Sequence, residues 1–263
     1  MKRAEKMIND PKLIFIIDTI KSAYANYGTY DKSTLTDKAM FDLVTSTDFN
    51  IENYIISKIK AQYPQDKILS EETNSQTAVA QGQCTWTIDP IDGTYNMANG
   101  IKLYGIQCAM YIDGVLNLAA LYLPHFDELY YAKAGEGAYL NGERIKVKSN
   151  PLDHCVVSMG DFPHTRPNDT EQELKVISCL SSKIARVRMF GAACIDFAFV
   201  ACGKTSATVI FTKNKWDIAP GILLCQEAGA LLKGNNGDYT DESNVVIASA
   251  TEELYQTIVE AMK

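Results

Sequence analysis

Along residues 11–28 the apolar side chains Leu13, Ile16, Ile17, Ile20, Tyr24 and Tyr27 recur every three or four positions. That spacing places them on one face of a helix, which Gly28 ends. Residues 49–63 repeat the pattern with Ile51, Tyr54, Ile55, Ile59 and Tyr63. The polar segment between them, YDKSTLTDKAMFDLVTSTD, predicts a loop that delivers Asp48 to the start of the second helix. From 85 to 148 the period changes to short β-like runs: TWTI, YGIQCAMYI, VLNLAALYL, ELYYAKA, GAYLNG and RIKVK. Turn pairs such as Asp113-Gly114 and Asn141-Gly142 separate them, so a largely antiparallel sheet packed on the first helices is expected.

After Ser149-Asn150-Pro151 strands and helices alternate. HCVVSMG predicts a strand, and Thr170 with Glu173 a capping box for a helix to about Ser182. ARVRMF, SATVIF, ALLKG and NVVIAS predict strands. AACIDFAFVAC and IAPGILLCQEA predict helices ending at Gly203 and Gly229, and Ser249 with Glu252 a box for the last helix. Such alternation belongs to a layered α/β arrangement. The expected fold class is α/β, with an α+β half over 1–148 and an α/β half over 149–263. No internal repeat or low-complexity linker interrupts the chain.

Composition narrows the classes of function. Of the 263 residues, 46% are apolar and 22% charged, so core material is ample and disorder is not expected. A net charge of −7 argues against nucleic-acid and anionic-membrane partners, which call for a basic face. The seven cysteines are irregularly spaced without a CxxC pair, as expected of reduced thiols in a cytoplasm. His125, His154 and His164 lack metal-ligand spacing. The charged start MKRAEKMINDPK is followed only by the brief apolar run LIFII, and no run is long enough to span a membrane.

The stretch CTWTIDPIDGTYNMANG, residues 84–100, ends an apolar strand with Asp89 and Asp92 around a proline, then Gly-Thr. One reading is a surface turn, because Asp-Pro and Asp-Gly are common turn pairs. The other is a metal site, since Mg2+ combines a few carboxylates with water and substrate phosphate. The strand end would hold Asp89, the turn would return Asp92 toward it, and the Ile91 carbonyl would be a third oxygen. Gly93-Thr94 would open a short helix whose free N–H groups favour phosphate. The full string DPIDGT after an apolar strand favours the metal reading. Ser70-Glu71-Glu72 reads, alone, as a solvated corner. In KWDIAPG, Asp217 is either an N-cap, with Pro220 in the first helical turn, or a carboxylate that holds a cation at a helix start. CGKT at 202–205 lacks the earlier glycine of a phosphate-binding loop, and GEGAYLNG lacks the third glycine of a dinucleotide fingerprint.

Together, LVTSTD (43–48), SEE (70–72), WTIDPIDGT (86–94), GAA (191–193) and WDIAPG (216–221) resemble the inositol monophosphatase family, from about residue 10 to the C-terminus. The resemblance implies a layered α-β-α-β-α sandwich, of the inositol monophosphatase and fructose-1,6-bisphosphatase type, in a lithium-sensitive phosphatase using two or three Mg2+ ions. It places Glu71, Asp89 and the Ile91 carbonyl on one ion and Asp89, Asp92 and Asp217 on a second. A third ion would lie near Glu71, with Asp48 acting on its water shell. Gly93 and Thr94 would cradle the phosphate, Thr94 with Glu71 would orient the attacking water, and Asp92, Ala193 and Asp217 would contact substrate. A homodimer is also implied.

Three positions depart from the family pattern. Ser70 precedes the two glutamates in place of glycine, and Tyr95 stands where a small hydroxyl residue is common. Ile210 replaces an acid that contacts substrate hydroxyls in inositol-specific members. The expected substrate is a small phosphorylated polyol or sugar, with inositol monophosphate as the default. The alternatives are fructose 1,6-bisphosphate, a 3′-phosphonucleotide or NADP, or a non-catalytic regulatory role. Arg166, Arg186, Arg188, Lys213 and Lys215 are either binders of a second phosphate or solvated surface charge.

Overall fold

A computed structural model describes residues 9–29, 36–39, 42–162, 166–240 and 243–263. The first eight residues of the charged N-terminal stretch, parts of the polar segment 30–48 and His164 lie outside them.

The first two helices form where the apolar spacing places them. Helix α1 is Pro11–Tyr27; the Asp10 side chain caps it by accepting from Lys12 N at 2.9 Å and Leu13 N at 3.2 Å. Leu13, Ile16, Ile17 and Ile20 are buried, but Tyr27, expected on the same face, is 40% exposed at the helix end. Helix α2, Ser46–Gln62, starts earlier than its apolar pattern does. Thr45 and Asp48 close a capping box that fixes its first turn. The segment before it is not all loop: β1 (Thr36–Ala39) and β2 (Asp42–Val44) pair antiparallel. Strands this short carry too little alternation to show in sequence.

Among the described residues two larger sheets follow. The first has the order β3 (Lys67–Ser70), β4 (Cys84–Asp92), β5 (Gly105–Ile112), β6 (Val115–Leu123), β7 (Glu128–Lys133), β8 (Gly137–Leu140), β9 (Glu143–Ile145). Every pair is antiparallel except β3 with β4. One short helix, α3 (Thr94–Ala98), leaves β4. The second sheet uses β10 (Val156–Met159), β11 (Arg186–Met189), β12 (Ala207–Ile210), β13 (Leu231–Gly234), β14 (Gly237–Asp238) and β15 (Val246–Ser249), in the order β11-β10-β12-β15-β13-β14. β10 is parallel to both β11 and β12, and the rest are antiparallel. The remaining helices are α4 (Pro167–Leu180), α5 (Ala193–Ala201), α6 (Lys215–Glu227) and α7 (Glu252–Met262).

Side-chain alternation along the strands builds five layers. Ile106, Cys108 and Met110 of β5 join the core beneath α1 and α2, while Ala109 and Tyr111 face the core of α5 and α6. Val246 and Ala248 of β15 meet that same middle layer, and Val245 and Ile247 point to the outer core with α4 and α7. The architecture is therefore the expected α-β-α-β-α sandwich. Gly221 lets α5 and α6 approach closely: a Cβ there would lie 2.3 Å from the Phe197 ring.

Three helix starts differ from the sequence reading. α4 begins at Pro167, so Thr170 and Glu173 form no capping box; proline at the first helical position presets φ and starts the helix four residues before a Thr170 cap would. Thr251, not Ser249, caps α7, accepting from Leu254 N at 3.3 Å, because Ser249 is still the last residue of β15. Asn214 is the N-cap residue of α6, so Asp217 is its third residue and Pro220 lies beyond the first turn.

Candidate active site

The two aspartates of DPIDGT lie on β4 itself. Asp89 pairs with Gln107 and Asp92 with Gly105, so three steps on β4 match two on β5. This bulge corrects the expected tight turn. In a regular strand residues three apart face opposite sides; the extra residue rephases Asp92 onto the side of Asp89. Pro90 is admissible because β3 pairing ends at Ser70 with Ile88, which leaves the next amide without a ladder partner to satisfy.

Other elements deliver the remaining groups. The turn after β3 carries Glu71, whose N–H donates to the Ile88 carbonyl at 3.2 Å. The next residue is held from α2: buried Glu52 accepts from Glu72 N at 2.8 Å and from the Thr73 hydroxyl. Gly93 adopts φ 99°, and a Cβ there would stand 2.9 Å from the Leu103 carbonyl, so glycine is required at this bend. Thr94 then opens α3, as expected, with its hydroxyl 3.0 Å from both the Asp48 carboxylate and the Ile91 carbonyl. Asp48 is fully buried and also receives the N–H and hydroxyl of Thr45.

From the second half, α5 aims its first turn at Asp92, whose carboxylate accepts the Cys194 N–H. Ala193 is the first residue of that helix, and Asp217 sits in the first turn of α6 with Thr212 donating to it at 3.2 Å. A cavity of about 210 Å³ lies between these parts, lined by Leu43, Glu71, Asp89, Ile91, Asp92, Gly93, Thr94, Tyr95, Asp161, Gly191 and Asp217. Neither Asp48, which accepts from the Thr94 hydroxyl, nor Ala193 is among the residues that line it. Ile210 is not at its wall; the side chain is buried in the middle core. A second, polar cavity of about 570 Å³ gathers Arg166, Asp169, Thr212 and Lys213, but neither Arg186 nor Arg188.

Asp161, Gln107 and Glu52 went unnoticed in sequence. Asp161 is a single acid after a strand, which no spacing marks. Gln107 had a signal: it is the one amide within the apolar run GIQCAMYI. Its Nε2 lies 3.4 Å from Asp89, 3.4 Å from Asp92 and 3.0 Å from the Asp217 carbonyl. Glu52 is a polar residue on a buried helix face.

Burial and mutual repulsion dominate the electrostatics. Asp89 is buried, and its carboxyl is held well above the usual range, first by desolvation, then by the charges of Glu71, Asp92 and Asp217. Burial pushes Asp92 up to about 6 against the N–H groups of α5. Burial likewise raises Asp48 against its threonine donors. One oxygen of Asp89 has no hydrogen-bond partner among the described residues. No three acidic, His or Cys side chains among those residues stand ready-made as an ion cage. The donor set is nonetheless all oxygen, carboxylate with one carbonyl, which suits a hard divalent cation and neither zinc nor a soft metal. The orphaned Asp89 oxygen and the raised acids fit such an ion, which would offset the repulsion.

Comparison with known proteins identifies the family. The model of the inositol monophosphatase family matches residues 7–263. A fructose-1,6-bisphosphatase/inositol-1-monophosphatase of Thermotoga maritima is 32% identical over 197 residues, 74% of this chain and 73% of the relative. Nus factor SuhB of Salmonella typhimurium is 33% identical over 224 residues, 84% of this chain and 83% of the relative. The solved structure of an IMPase/NADP phosphatase complexed with Mg2+ and phosphate superposes with a TM-score of 0.78 at 25% identity, over 95% of this chain and 93% of that one. The chain, with Asp89 and Asp92 on a bulged strand, belongs to the inositol monophosphatase family and is a phosphatase of that family.

Proposed function

We propose that the protein hydrolyses a small phosphate monoester, inositol monophosphate or a related polyol or sugar phosphate, in an Mg2+-dependent reaction. The observation that carries this reading is the buried Asp89 carboxylate, one oxygen unpartnered, walled in by Glu71, Asp92 and Asp217. Glu71, Asp89 and the Ile91 carbonyl would hold one ion; Asp89, Asp92 and Asp217 would hold another, with a third near Glu71. Bound there, Mg2+ supplies the positive charge that admits phosphate to an acidic cavity and the Lewis acidity that activates water.

The chain's own groups complete the chemistry. Gly93, without a side chain, leaves room for phosphate against its backbone. Thr94, whose hydroxyl lies between Asp48 and the Ile91 carbonyl, can turn its proton to either and orient a water together with Glu71. Asp48 accepts protons in a dry setting that already raises its affinity for them. Residues 1–148 supply these groups and 149–263 close the cavity through Asp217 and the start of α5. Inhibition by Li+, a homodimer and a cytoplasmic setting belong to the same reading.

Two observations favour second readings. The polar cavity with Arg166 and Lys213 beside Thr212 suits a substrate with a second anionic group, such as fructose 1,6-bisphosphate or NADP. The likeness to a Nus factor favours a regulatory role. Phosphate release from inositol 1-phosphate, fructose 1,6-bisphosphate, a 3′-phosphonucleotide and NADP, with Mg2+ and then with EDTA, separates them. Mg2+-dependent release with one preferred ester is expected. Folded protein that releases phosphate from none of them would overturn the catalytic reading in favour of the regulatory one.

A further inference from the structure

We propose that Gln107 is a positioning residue that keys the carboxylates of β4 to the first turn of α6, and so sets metal affinity. The inference rests on reading those carboxylates as an Mg2+ site. Gln107 stands on β5 opposite Asp89 in the ladder and is fully buried. Strand alternation turns it toward α5 and α6, the side on which Ala109 and Tyr111 are packed in apolar core. A buried amide in such a place costs stability unless its polar atoms are used.

They are used on one side only. The Nε2 group lies 3.0 Å from the main-chain oxygen of Asp217 and 3.4 Å from one oxygen each of Asp89 and Asp92. Two N–H groups thus serve three acceptors, the shortest bond anchoring α6 and the two longer ones reaching the acids. The reverse placement of the amide would set its oxygen against a carbonyl and two carboxylates, acceptors all. The Oε1 atom has no hydrogen-bond partner among the described residues, so the amide's own satisfaction does not account for its position.

The acids it touches come from a bulged strand, and the carbonyl from a helix in the other half of the chain. No neighbour in sequence fixes the distance between them. Ile218 and Ile222 pack α6 into the middle core whether or not Gln107 is present, so the fold does not depend on it. What depends on it is the alignment of three ligands. Its neutrality matters too: a lysine or arginine there would neutralise the acids and compete with the ion, whereas an amide orients them and leaves their charge intact.

The test compares the full-length protein with Gln107→Met, which keeps the length and removes both donors. Mg2+ alone is titrated calorimetrically, and melting is followed in EDTA. Groups that orient metal ligands are typically worth 10- to 100-fold in metal affinity, so about that loss is expected, with the EDTA melting temperature shifted by a few degrees at most. Phosphate release should recover toward the wild-type rate as Mg2+ is raised. Mg2+ affinity within about twofold of wild type would overturn the proposal, as would a fall in EDTA melting temperature with affinity unchanged. Should Gln107→Met fail to fold, Gln107→Asn, whose amide is one methylene shorter, is expected to weaken Mg2+ binding; equal affinity overturns the proposal there too. Wild-type protein that binds no Mg2+ is a separate result: it removes the metal-site reading itself, and this inference with it.

Discussion

Replacing Asp92 by Asn removes one carboxylate from the cavity while leaving an oxygen to accept the Cys194 N–H at the start of α5. Burial lifts the Asp92 carboxyl from 3.8 to about 6. A folded-state value above the unfolded one means that folding favours the protonated form. Its contribution to metal-free stability is therefore full below about pH 4 and is lost as pH rises through about 6. Two pH units correspond to ~3 kcal/mol, or roughly 6–12 °C in Tm for a chain of this size. The Asn variant lacks the charge, so in EDTA it should melt higher than wild type at pH 7.5 and level with it at pH 4. Mg2+ reverses the sign, since the ion needs the ionised form. At pH 5 a group with a pKa near 6 is about one-tenth ionised, so Asp92 alone should weaken wild-type Mg2+ affinity about tenfold relative to pH 7.5. Melts in EDTA across this range, with calorimetric Mg2+ titrations at both pH values, provide the check. Comparing variant with wild type cancels titrating groups remote from the cavity; Asp89, which the Asp92 charge raises, is relieved in the variant and adds to the same difference. The same melting difference at pH 4 and pH 7.5 would refute the reasoning.

Asp89→Asn should lower phosphate release at saturating Mg2+ by at least about a hundredfold, because it removes the carboxylate proposed above for both ions; wild-type turnover would contradict that proposal. Glu52→Gln leaves one acceptor where Glu72 N–H and the Thr73 hydroxyl need two, so the turn carrying Glu71 should loosen by about 1–3 kcal/mol, read as a lower melting temperature. Gly93→Ala forces a side chain into φ 99° and against the Leu103 carbonyl, and should cost roughly 1–3 kcal/mol together with much of the phosphatase activity. Equal melting temperatures for this variant and wild type would show the bend to be less constrained than its geometry implies.

How far the sequence could be read depended on the range of the interactions involved. Apolar period alone located α1 and most strands of the first sheet, because a helix or strand that buries one face must repeat at its own pitch. The cluster DPIDGT was visible because its residues lie within one turn of one another. Helix starts were less legible: Pro167 begins α4, and Asn214 and Thr251 stand as N-cap residues of α6 and α7, where local capping patterns pointed elsewhere. Proline at the first helical position began α4, and the end of β15 at Ser249 left Thr251 to cap α7. The hairpin of β1 and β2 was too short to show a period at all.

The sequence by itself determined most element types, the family likeness and the acids of the candidate site other than Asp161. Each follows from neighbours a few residues apart, or from a pattern carried by the chain itself. Only the tertiary structure decided that Asp89 and Asp92 share one side of a bulged strand, that Gln107 reaches both, and that Glu52 holds the turn after Glu71. It also decided that Asp161 enters the same cavity while Ile210 stays in the core. Among these meetings, Glu52 with Glu72 spans 20 residues of chain and Gln107 with Asp217 spans 110. Packing of five layers brings them about, and no local spacing encodes the distances that result.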